Sequence, residues 1–259
     1  MSTHALCKHF ESMGARLKVL TINDTDRRWR RRRPPDGYTL DVETDRHGEY
    51  FVLYHHEGEA PDVGVLQVRP GDRHLLLYAD DGNRFLCGHD ERHWFVAGIR
   101  DRVSTVRDAK RSLMPEPVRD HAHGVSPRRL DNRRNEVFIR QGEWFFAPVD
   151  IDVPDHQVIR NEPLQRDARS KPHICQELYR QGGQTVYIVR RKELSPDAYA
   201  ALVKRAPEWG GIQPRIRNPE VYVRGAVRHP DHATVRLDGW HRVYINGELA
   251  GRAEVSFLD

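Results

Sequence analysis

Seven consecutive residues, Arg27-Arg28-Trp29-Arg30-Arg31-Arg32-Arg33, hold six guanidinium groups around one indole. A guanidinium grips phosphate through two parallel hydrogen bonds. An indole between such groups offers a flat face on which a base stacks for roughly 1–3 kcal/mol. Six cations this close cannot be buried without counter-charges. The run therefore reads as a surface loop that tracks nucleic-acid phosphates, with RNA favoured slightly over DNA. The same charge would also suit an acidic protein partner, which would make the chain an adaptor. A second cluster, Arg128, Arg129, Arg133 and Arg134, would lengthen the track if it shared a face with the first.

Histidines and cysteines suggest a second kind of chemistry. Near the C-terminus come Arg228-His229-Pro230-Asp231-His232 and then Asp238-Gly239-Trp240-His241-Arg242. If the two stretches are turns at one end of a sheet, His229, Asp231, His232 and His241 could meet there. Such a set ligates a metal, or performs acid–base work on a phosphodiester with His241 as base and Arg228 or Arg242 stabilising charge. That would be a histidine-centred hydrolase or nuclease, with zinc as its candidate cofactor. Trp240 and the arginines could instead hold a nucleotide without catalysis. Cys87, His89 and His93 are also zinc-type ligands, but their spacing fits no standard finger. The plainer reading there is a charged hairpin loop over a buried thiol.

Three weaker signals remain. His121-Ala122-His123 would chelate if extended. His173 and Cys175, two apart, would face the same way on a strand and could pair as base and nucleophile. Within Arg140-Gln141-Gly142-Glu143-Trp144-Phe145-Phe146, Trp144 is a stacking candidate if exposed, and Phe145 and Phe146 read as core. There is no G-x-x-x-x-G-K-[ST], no G-x-G-x-x-G after a strand, no G-x-S-x-G, no H-E-x-x-H and no C-x-x-C. P-loop hydrolysis and Rossmann cofactor binding are thereby disfavoured, and no motif requires a cofactor.

The 259 residues carry 42 basic and 38 acidic side chains, a formal charge of +4. Residues 16–33 alone hold eight basic and two acidic groups, so the rest of the chain is near neutral. Anion binding must then be local. Thirty-six of the basic residues are Arg and six are Lys, a ratio that a GC-rich genome would also produce. Mean hydropathy is −0.76. No apolar run approaches the roughly 18–20 residues that span a bilayer, so no membrane partner is expected. Met1 to Lys8 lacks an apolar signal core, and Cys7, Cys87 and Cys175 are too few for a disulfide scaffold. A cytoplasmic location with reduced thiols is expected.

The elements that must position these groups follow from periodicity. Leu6, Phe10, Met13 and Leu17 mark a helix over residues 4–18, overlapping at its end a strand over 17–22. Pro34-Pro35 close the arginine loop. Strands are expected at 38–42, 50–54, 74–78, 84–87 and 93–97, with turns at 45–48 and 80–83. A helix covers 101–114. In the second half, strands flank Gln141-Gly142 and continue at 184–189, 221–227, 233–237, 242–245 and 253–258. Ser195-Pro196-Asp197 opens a helix, and Asn246-Gly247 reads as a hairpin turn. The expected fold class is α+β: strand-rich, mostly antiparallel sheets or small barrels with about three helices. The expected domains are 1–114, a linker at 115–135, and 136–259.

Overall fold

The computed structural model describes residues 2–22, 37–58, 61–166 and 170–248. The arginine run 27–33 and the expected strand 253–258 lie outside them. The fold is mixed α+β, with several mostly antiparallel sheets and, among the described residues, no closed barrel. Among the described residues there are five α-helices, and none is long and apolar enough to cross a membrane. The chain forms two compact units. One is drawn from residues up to Phe145 together with a stretch beginning at Ile245, the other from Phe146–Tyr244.

The first unit opens with α1 (Thr3–Ser12), capped where Ser2 Oγ accepts from Ala5 N–H at 3.3 Å. The helix stops earlier than the apolar spacing predicts. Gly14 takes a left-handed φ of 82°, and the Ala15 N–H bonds back to the Phe10 carbonyl, a helix-ending device available to glycine at little cost. The chain then enters β1 (Leu17–Ile22), β2 (Tyr38–Asp45) and β3 (Gly48–His56), in the order β1-β3-β2. β1 runs parallel to β3, and the expected hairpin joins β2 to β3 at Asp45↔Gly48.

A meander follows: β4 (Val63–Arg69), β5 (His74–Ala79), β6 (Arg84–Asp90) and β7 (His93–Ile99). β4 was not expected from sequence. Gly64 and a register shift between Val65 and Gln67 break its alternation. One core cluster gathers Phe10, Phe51, Leu75, Leu77 and Cys87. The Phe51 ring lies 4.9 Å from Phe10 and 5.4 Å from Trp94. Leu76, Leu86 and Ala97 meet Val106, Ala109 and Leu113 of and after α2 (Val106–Ser112).

Residues 115–135, read from sequence as a linker, carry α3 (Glu116–His121) and α4 (Pro127–Leu130) within the first unit. Pro115 and Pro127 sit at helix starts, where a missing N–H costs nothing. β8 (Ile139–Gln141) and β9 (Trp144–Pro148) complete this region, and the chain passes into the second unit within β9.

The second unit contains β10 (Ile159–Leu164), β11 (His173–Gln181), β12 (Gln184–Val189), β13 (Lys192–Leu194), α5 (Pro196–Arg205), β14 (Arg215–Arg217), β15 (Glu220–Arg228) and β16 (Val235–Ile245). Its main antiparallel sheet has the order β10-β11-β15-β16, and a small one the order β13-β12-β14. α5 begins where expected, with Ser195 Oγ accepting from Ala198 N–H at 3.3 Å. Ser195→Ala is expected to cost about 1 kcal/mol, read as a lower urea midpoint.

One strand replaces the two expected at 233–237 and 242–245. Val223 pairs with His241 and Gly225 with Leu237, so β16 advances four residues while β15 advances two. Asp238-Gly239-Trp240 is therefore a bulge inside β16 and not a turn. The Asn246 and Gly247 amides donate to the carbonyls of Glu143 and Leu113.

Candidate functional site

Three imidazoles come together in the second unit. Ile174 of β11 pairs with Arg228 of β15, and the antiparallel register continues to set His173 beside His229. The loop after β15, with φ restricted at Pro230, brings His232 back onto the pair. The three rings stack: His173–His229 at 4.1 Å, His229–His232 at 4.7 Å and His173–His232 at 5.8 Å. One nitrogen from each lies within 4.8 Å of the others. Lys171 Nζ reaches both Asp231 oxygens, at 2.7 and 2.9 Å, and the Asp231 N–H donates to His229 Nδ1 at 3.2 Å. The loop is thus tied to the chain just before β11.

His173 and His229 favour the neutral form. Burial, and then His229 and His232, push His173 down to about 3, and burial also lowers His229. His173 is 1% exposed. A neutral imidazole keeps a lone pair to give, so the cluster could hold a metal ion at neutral pH.

The other sequence candidates fall elsewhere. His241 lies opposite Val223, six β15 positions from His229, or roughly 20 Å at ~3.3 Å per residue. Its Nδ1 contacts the Gly239 carbonyl at 2.9 Å. Arg242 pairs with Glu220 at 2.5 Å, and Arg228 donates to Asn161 at 2.9 Å. Trp240, 7% exposed beneath the Arg224 guanidinium, and fully buried Trp144 are not open stacking faces. Cys175 is buried, and burial pushes its thiol up to about 12, the opposite of an activated nucleophile.

Cys87, His89 and His93 do not converge. Cys87 is fully buried in mid-strand, and burial pushes its thiol up. His89 pairs with Trp94 while Asp90 pairs with His93, so the two histidines face opposite sides of the hairpin. His93 Nδ1 contacts Glu49 at 2.6 Å. His121 ends a helix, with its ring on the Pro117 carbonyl at 2.6 Å, so the H-x-H pair is not extended.

Two of the four arginines of the second cluster are engaged with acids. Arg129 pairs with Glu136 at 2.9 Å, and Arg133 pairs with Asp90 and Glu91. Arg134 forms a backbone bridge with Ile139, and Arg128 is exposed on α4. Arg27, Arg28, Trp29, Arg30, Arg31, Arg32 and Arg33 lie outside the described residues.

The first unit also carries a partly open cavity of about 130 Å³. Lys110, Arg111, Arg133 and Arg140 line it, against Asp90 and Asp131. Burial, followed by Arg140, takes Arg133 down to about 10, and burial lowers Arg140 and Lys110. Burial and then Lys110 push His74, also in the lining, to about 4.

These shifts set an acid limit on stability. His173 and His74 take up protons near pH 6.5 when unfolded but only near 3 and 4 when folded. Their contribution is complete above about pH 7 and is lost as pH falls through that window, at up to about 1.4 kcal/mol per pH unit for each. Calorimetry in chelator from pH 7.5 to 4 should show a falling Tm. His173→Gln should flatten part of that fall.

Comparison of the chain with protein-family models, with curated proteins and with solved structures finds no match.

Proposed function

We propose that this chain is a zinc-dependent hydrolase of phosphodiesters that acts on nucleic acid. The observation that carries the reading is the convergence of His173, His229 and His232, with ligand nitrogens within 4.8 Å of one another. Imidazole is a preferred zinc ligand, and three protein ligands leave a fourth position for water or substrate. Bound there, zinc would supply a hydroxide at neutral pH and polarise a phosphoryl oxygen. Burial favours the neutral form of His173 and His229, and the Lys171–Asp231 pair holds the loop that carries His229 and His232. Affinity for the polyanion is assigned to Arg27, Arg28 and Arg30 to Arg33, with Trp29 stacking on a base.

The test begins with metal content. Purified protein, or metal-free protein given zinc, is expected to hold one zinc per chain by mass spectrometry and to cleave single-stranded RNA or bis(p-nitrophenyl) phosphate. Protein that takes up no zinc at ten equivalents overturns the reading.

A second reading is a non-catalytic nucleic-acid-binding protein with a closed, structural zinc. The 1% exposure of His173 favours it. Stoichiometric zinc and salt-sensitive RNA binding without turnover would select it.

A further inference from the structure

We propose that the cavity of the first unit is a phosphomonoester-binding site. It stands on residues far in sequence from the three histidines and does not depend on the hydrolase reading. Five segments build it: the last turn of α2 (Lys110, Arg111), the stretch after α4 (Asn132, Arg133), β8 (Arg140), the end of β6 (Asp90) and the start of β5 (His74).

The charges do not balance. Four cations and two carboxylates line the cavity, and Arg133 is further paired with Glu91 at its edge, which leaves Lys110 and Arg111 as the cations to satisfy. Asp90 is already contacted by Arg133, and by Arg140 at 3.6 Å. Asp131 lies 4.0 Å from Arg107, outside the cavity lining. Among the described residues, no ion pair within 4.0 Å engages Lys110 or Arg111. An ammonium and a guanidinium are therefore held beside two further guanidiniums in a partly desolvated space. Cations so placed gain most from an anion that accepts several charge-assisted hydrogen bonds.

Size and lining narrow the class. About 130 Å³ is roughly ten times the ~10–15 Å³ that admits one water, and well under the roughly 300 Å³ of a pocket for a drug-sized ligand. A phosphate group and the carbon that bears it would fill the cavity, with the rest of a larger ligand lying outside its mouth. The doubly charged phosphomonoester suits Lys110 and Arg111, the two lining cations that no ion pair engages among the described residues, better than the single charge of an internal phosphodiester. Met114, Leu130, Phe138 and Phe145 supply an apolar wall for the attached carbon. The shared chemistry is a terminal phosphate, borne by a nucleic-acid end or a small organic phosphate.

Isothermal titration of the full chain in chelator tests this with three probes: inorganic phosphate, a nucleoside 5′-monophosphate, and a short DNA oligonucleotide with a 5′-phosphate or a 5′-hydroxyl. The arginine run also feels the added charge, so the cavity is credited with the part of the 5′-phosphate preference that Lys110→Gln or Arg111→Gln removes. At least one phosphomonoester is expected to bind, and Lys110→Gln or Arg111→Gln to weaken it about tenfold or more. A preference for the 5′-phosphorylated oligonucleotide identifies a nucleic-acid end as the source. Tighter binding of the monophosphate identifies a small organic phosphate. Should either variant misfold by circular dichroism, Asn132→Asp, at an exposed position of the lining, gives the same reading by adding a negative charge. The proposal is overturned if no probe binds, or if binding is unchanged in all the variants that fold. Zinc content and turnover report on the histidine centre alone, so the two readings fail separately.

Discussion

Replacing His173 by alanine is expected to remove the zinc ion and, with it, turnover. The two remaining ligands sit on one loop, His229 and His232, and the third comes from the strand facing it. Loss of the facing ligand should weaken zinc binding by at least about 100-fold, because even outer-shell partners of metal ligands cost 10–100-fold when mutated. Hydrolysis at fixed low zinc should fall in step. The discriminating partner is His241→Ala. That side chain sits in mid-β16 and contacts the Gly239 carbonyl, so zinc content and turnover should match the parent. Equal losses in the two variants would point to general destabilisation. A His173→Ala protein that retains stoichiometric zinc would exclude this ligand set. The measurements are zinc titration with a competing chelator, turnover, and circular dichroism of both variants.

The second large effect concerns salt. Changing Arg27, Arg28, Arg30, Arg31, Arg32 and Arg33 to serine together is expected to abolish most affinity for single-stranded RNA. Each neutralised phosphate on a single strand contributes a slope of about −0.7 in log affinity against log salt. Six contacts give a slope near −4, so the parent should lose about 200-fold or more between 50 and 200 mM salt. The serine variant should have a nearly flat response. Arg129 and Arg133 add little to the slope because Glu136, Asp90 and Glu91 already hold them. Fluorescence anisotropy across the salt range checks this. An unchanged slope in the variant would remove nucleic acid as the ligand of the arginine run.

The three-histidine cluster was half legible in the sequence. His229, Asp231 and His232 stand within one loop, and their spacing alone singled them out. His173 lies 56 positions before His229 and was visible only as a neighbour of Cys175. It joins the others because β11 and β15 pair in one particular register. His241 was misplaced for a related reason. Asp238-Gly239 has turn chemistry, but cross-strand pairing absorbs it as a bulge. The cavity had no sequence signature, since its lining comes from five separate segments.

Local chemistry sufficed wherever an element depends on its own residues. The Ser195 cap started α5, and Asp45 to Gly48 turned β2 into β3, because capping hydrogen bonds and the left-handed φ of 98° at Gly48 act within a few residues. Alternation likewise placed most of the meander. The tertiary structure alone decided which strands pair, in what register, and so which imidazoles share a face and which cations crowd one cavity. Strand pairing is a long-range choice set by burial of whole faces, and a shift of one residue sends every side chain to the other side.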